Sequence, residues 1–195
     1  MNICNALLVL ATLIVTSAYA APSDSSCEAK AVAAREEFAA KGDPRAQFWL
    51  GIQLELGSCG VIDHERANLL FQQSVAQNFP PAVHIIGVKL RRDGKDSEAI
   101  KYFERSAQLG YQVGIADMGF TYGLRDSPIR DAVLSYAWLT LAISRESKAE
   151  LREYLESSRA KVMSAMSDTD LTNAKGVIDD LSIRFSLIPV WSDHQ

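Results

Sequence analysis

The strongest constraint on this chain is that it repeats itself. Placing Ala46 over Ala82 puts Leu50-Gly51 on Ile86-Gly87 and Leu54 on Leu90. Placing Ala82 over Gly114 then puts Ile86-Gly87 on Met118-Gly119 and Leu90 on Tyr122. The second half of each segment aligns in the same way. Ala67, Ala99 and Ser135 share one column, Leu70, Tyr102 and Trp138 the next, then Phe71, Phe103 and Leu139. A chain with three such segments folds by stacking similar units, each burying a face that it cannot bury alone.

Within each unit, apolar and small residues recur at helical spacing. They fall at 46, 50, 51 and 54 in the first half and at 67, 70, 71, 74 and 75 in the second. That is the pattern of two amphipathic helices. A glycine inside a helix costs about 1 kcal/mol relative to alanine. Gly51, Gly87 and Gly119 are therefore expected where a neighbouring helix comes too close for a side chain. Gly42-Asp43-Pro44 supplies a stop, an N-cap and a first-turn proline. Residues 78–81 and Leu109-Gly110 are expected to end the second helices of the first two units.

Residues 46–74 follow the pattern A-x-x-x-L-G-x-x-L-x-x-G-x-x-G-V, continued by A-x-x-L-F-x-x-S. This resembles the Sel1-like repeat, a relative of the tetratricopeptide repeat with a longer loop between its helices. The third unit's Ser135-Tyr136-Ala137-Trp138-Leu139 with Leu141-Ala142 is similar to the family's A-Y-x-W-x-x-L-A ending. The middle unit departs, joining its helices through residues 91–96 without the G-x-G-V loop. Loop glycines are also altered at Ser58-Cys59 and across residues 125–128. The resemblance implies an all-α fold, a short right-handed α-solenoid of helix-turn-helix repeats with helical caps. The expected organisation is a signal peptide at 1–20 and an N-terminal capping helix within 21–45. Three repeats follow at 46–81, 82–113 and 114–149, and a helical cap and tail at 150–195. Cys27 to Lys41 reads as the capping helix and Ala149 to Met166 as a long charged one. Ser167-Asp168-Thr169-Asp170 caps a last helix to about Phe185, in a stretch similar to the M-T-P-E-Q-I that closes exported members of the family. The apolar tail at 187–191 is expected to fold back on the array, with a partner-binding peptide as the alternative.

The first twenty residues read as a secretory signal. Residues 6–17 are almost wholly apolar, and Ala18-Tyr19-Ala20 is a small-x-small cleavage site before Ala21. An apolar run of roughly a dozen residues falls short of the ~20 that span a bilayer. Met1 to Asn5 carries no basic residue, so a retained anchor is the alternative. The expectation is a periplasmic or secreted protein with no membrane insertion after cleavage. Cys4 would leave with the signal, and Cys27 and Cys59 would meet an oxidising compartment, where two thiols usually pair. A bridge closing a loop of roughly 33 residues is worth about 3–4 kcal/mol. Two free thiols or an intermolecular bridge are the alternatives.

The 20 basic and 24 acidic side chains give a net charge of −4, so nucleic acid is not an expected partner. His64, His84 and His194 lie far apart, and no spacing suggests a metal site, a phosphate loop or a nucleophile with its base. No catalytic residue, metal or cofactor is expected. The resemblance implies a non-enzymatic module that binds a protein or peptide on its concave face, as an exported adaptor or regulator. Some family members act on β-lactams or cell-wall precursors, so an enzyme of that kind is the rival. A glycan binder using Trp49 or Trp138 is a third reading. In the related tetratricopeptide fold the first helix of each unit lines the groove. Carried onto this chain by column, the candidate protein-binding residues are Phe48, Ile52, Glu55, His84, Val88, Arg91 and Phe120. The apolar members should be partly exposed, with Glu55, His84 and Arg91 at the edge. Packing or the tail could instead cover this stripe.

Overall fold

The computed structural model describes residues 27–191, so the expected signal peptide, its cleavage site, Cys4 and His194 lie outside the described residues. Among the described residues there are nine helices and no strand. They are α1 (Ala29–Ala40), α2 (Pro44–Leu56), α3 (His64–Ala76), α4 (Pro80–Arg92), α5 (Asp96–Gln108), α6 (Gln112–Gly123), α7 (Ala132–Arg145), α8 (Ala149–Met163) and α9 (Asp168–Phe185). None of them is long and apolar enough to cross a membrane. The pairs α2–α3, α4–α5 and α6–α7 carry the three aligned segments. The chain divides into two compact units, residues 1–70 and 71–195, the division falling within α3.

Local chemistry sets the helix ends. Asp43 caps α2, its carboxylate accepting from the Ala46 amide at 2.6 Å, with Pro44 in the first turn. Asp131 caps α7 through the Leu134 amide at 2.9 Å. Ser167 and Asp170 form a reciprocal capping box at the start of α9. Each cap satisfies amides that the first helical turn leaves without partners. Asn78 takes a left-handed conformation between α3 and α4, which lets the chain reverse before Pro80. The charged helix α8 stops at Met163, three residues short of the expected end. Ser164 keeps a right-handed helical conformation, and the chain leaves the helix through tighter turns, the Ala165 and Met166 amides donating to the Val162 and Met163 carbonyls at 3.1 and 3.0 Å.

In the first unit α1 packs on α2. Cys27 and Cys59 are joined by a disulfide, with Cα atoms 5.3 Å apart. The bridge ties the start of α1 to the loop after α2. Arg35 donates to Gln53, and Arg66 pairs with Glu36.

In the second unit each helix from α4 to α7 packs on its successor, and α9 returns onto α7. The core is built from Phe103, Ile115, Met118, Trp138, Leu139, Leu155 and Phe185, among others. Trp138 meets Phe185 edge-on at 5.5 Å. A glycan-binding role for Trp138 is therefore corrected: the ring is 4 % exposed and belongs to the core. Two of the aligned glycines are sites of close approach. A Cβ on Gly87 would lie 2.6 Å from Phe103 Cε1, and one on Gly119 2.7 Å from Leu139 Cγ. Gly51 is also buried.

Candidate functional site

Three of the seven expected contact residues are interior. Phe48 is fully buried, with its ring edge-on to Trp49 at 5.1 Å. Ile52 lies on α2 and is 7 % exposed. Both are core of the first unit, because an apolar column at helical spacing is buried as readily as it is displayed. His84 was expected at a groove edge, but α4 carries it wholly inside. These corrections remove Phe48, Ile52 and His84 from any accessible surface. Glu55 is largely buried too, and its carboxylate faces His64 Nδ1 at 3.4 Å.

His84 is interior because it has a partner there. Its Nε2 lies 2.6 Å from Asp117 Oδ2, on the facing side of α6. An ionised carboxylate only accepts, so the ring N–H is the donor. The other carboxylate oxygen accepts from Arg91 Nη1 at 2.6 Å, and the same guanidinium reaches Thr121 Oγ1 at 3.5 Å. Arg91 also lies over the Phe103 ring, 5.1 Å from its centroid. Burial by itself would raise the Asp117 carboxyl. The Arg91 charge and the His84 hydrogen bond outweigh it and bring the group from 3.8 to about 2. Both oxygens of Asp117 are thus satisfied by charge-assisted or buried donors, as an interior charge requires.

The remaining candidates lie in the second unit: Val88 and Phe120 are half-buried, and the Arg91 side chain is 14 % exposed. Phe120 packs its ring at 5.7 Å from Tyr154 of α8, the planes inclined by 49°. Burial raises the Tyr154 phenol above its ordinary 10.0, and the Asp117 and Arg91 charges act on it in opposite directions. Tyr154 is half-buried, as Val88 and Phe120 are.

Chemically, the cluster can hold shape and charge but offers no reacting group to solvent. His84 has no exposed atom, and Asp117 is fully engaged. Among the described residues no group of three or more His, Cys, Asp or Glu side chains could hold a metal ion.

No protein-family model and no curated protein matches the sequence. Among solved structures, the chain is similar to a Sel1 repeat protein from Oxalobacter formigenes. The two share 22% identity at a TM-score of 0.50, over 63% of this chain and 95% of the other. It is also similar, at 15% identity and a TM-score of 0.44, to a protective antigen of uropathogenic Escherichia coli strains displaying an SLR fold. That match covers 94% of this chain and 48% of the antigen, so the chain spans about half the antigen's length.

Proposed function

From the premise that this chain has the Sel1-like repeat fold, we propose that it is a non-enzymatic protein-interaction module. Its binding face is Val88, Arg91, Phe120 and Tyr154 of the second unit. The observation that carries the reading is the pairing of half-buried apolar rings with a fixed cation. Phe120 and Tyr154 offer an aromatic surface of low conformational entropy, a favoured anchor for a peptide side chain. Asp117 holds the Arg91 guanidinium in place, so little freedom is lost when a ligand meets its edge. A short extended or helical peptide with an apolar anchor suits such a face. The proposal includes an exported role as adaptor or regulator, periplasmic or secreted. It is supported by the apolar leader with its Ala18-Tyr19-Ala20 site and by the disulfide, a bond that persists in oxidising compartments.

The test is crosslinking in the native envelope followed by mass spectrometry, repeated with Phe120→Glu and Val88→Glu. Both variants should lose the partner that the wild-type chain captures, and both should keep the helical spectrum and nearly the same melting temperature. Binding and stability falling together would make these residues core and overturn the face. Turnover of a β-lactam or cell-wall precursor by the purified chain would replace the module with an enzyme.

A further inference from the structure

The segment that follows α9 is held by a small set of specific contacts. Arg145 of α7 bridges the end of α9 and this segment, donating from Nη1 to the Phe185 carbonyl at 2.7 Å and from Nη2 to the Ile188 carbonyl at 2.6 Å. Its Nε donates to Gln112 Oε1 at 3.0 Å, which fixes the guanidinium in position. Further on, the Trp191 amide donates to the Gly110 carbonyl at 2.9 Å. Gly110 has to be glycine for this to happen. Its φ is +91°, and a Cβ there would stand 2.3 Å from the Pro189 carbonyl oxygen. The Trp191 ring then lies edge-on to Phe79 at 5.7 Å and to Tyr111 at 5.5 Å, two rings that are themselves buried.

Ile188 packs against the hydrophobic core, and the other aliphatic side chains of the segment are exposed. Leu187 is 92 % exposed and Val190 54 % exposed. Main-chain hydrogen bonds and one aromatic ring do most of the holding. Recognition through main-chain atoms plus one buried aromatic anchor is how proteins take extended peptides.

We propose that Phe79, Gly110, Tyr111, Gln112 and Arg145 form a second peptide-binding slot. Its ligand class is an extended peptide with a tryptophan anchor, and residues 186–191 fill it in cis. An attached segment competes at an effective concentration on the order of millimolar. An external peptide of equal intrinsic affinity therefore gains access only when the cis segment is weakened or drawn away. The slot is distinct from the face around Phe120, and neither proposal requires the other.

The experiment uses the full chain and a fluorescent peptide with the sequence of residues 186–191. Wild-type chain should bind it at least tenfold more weakly than Trp191→Ala, since that variant loses the anchor of its own competitor. Adding Gly110→Val to Trp191→Ala should abolish binding, because the new side chain occupies the path of the peptide. A peptide with alanine in place of its tryptophan should not bind. Hydrogen exchange of the wild-type Trp191 amide should be far faster than that of core amides in α7. The proposal is overturned if folded Trp191→Ala binds no better than wild type. It is equally overturned if Trp191→Ala fails to fold, or if the Trp191 amide exchanges only with global unfolding; either makes the segment core. A wild-type dimer that dissociates in Trp191→Ala would put another copy's segment in the slot and overturn filling in cis.

Discussion

His84 and Asp117 each stand alone in an otherwise apolar or small-residue column. The residues aligned with His84 are Phe48 and Ala116, and those aligned with Asp117 are Trp49 and Ile85. A polar side chain at a buried helical position needs a partner, and two such departures on the first helices of successive units can supply each other. That signal was present in the sequence. Reading only the columns two residues either side of the Leu-Gly step passed over Asp117 and assigned His84 to the surface. Removing the acid should be costly. Asp117→Ala leaves a buried imidazole without its acceptor and a guanidinium without its counter-ion, and should destabilise by about 3–5 kcal/mol in urea unfolding. The pH dependence has a definite sign. The Asp117 pKa falls from 3.8 to about 2 on folding, so the unfolded chain binds the proton more readily. This carboxylate's contribution, about 2 kcal/mol, is present above pH 4 and is lost as pH falls from 4 towards 2. Urea midpoints measured across that window should fall for the wild-type chain and stay flatter for Asp117→Asn.

At the scale of the helix, the glycines carried the most information. Aligning Gly51, Gly87 and Gly119 placed the helix pairs and much of the core, because at Gly87 and Gly119 a side chain of the neighbouring helix stands where a Cβ would be. Gly87→Leu should therefore lower stability by about 3 kcal/mol or more in denaturant titration, since the Phe103 ring occupies the space the new side chain needs. Gly176 in α9 is the contrast, with nothing within 4 Å of an added Cβ. Gly176→Ala should stabilise by about 0.5–1 kcal/mol through helix propensity alone. Equal effects at the two sites would break the link between aligned glycines and close packing. Element ends were legible where a cap announced them, as at Asp43 and Ser167. The end of α8 was not, because a charged helix without a glycine or proline stop gives no local signal. The same helix concealed Tyr154, whose place beside Phe120 depends on how α8 packs and not on any motif around it.

For the molecule as a whole, the repeat sufficed to give an all-helical chain of paired helices, yet it could not say which apolar columns face solvent. Helical spacing marks a face without telling what lies opposite it, so Phe48 and Phe120 share a first-helix origin and end with different exposure. The disulfide was the longest-range contact open to sequence reasoning, because Cys27 and Cys59 are the two thiols beyond the expected signal segment. Its consequence lies in the first unit. Cys27 and Cys59 are separated by 32 residues, and both belong to the unit that ends at residue 70. Opening the bridge restores the freedom of the intervening chain in the unfolded state, a loss of about 3–4 kcal/mol of stability. The core of the second unit contains no part of that loop, so its local contacts should survive. Cys59→Ser, compared with wild type by hydrogen exchange, should show faster exchange of amides in α1 and α2 and unchanged exchange in α6 and α7. Acceleration spread evenly through α6 and α7 would mean that the chain unfolds as one cooperative body, and that the bridge stabilises all of it.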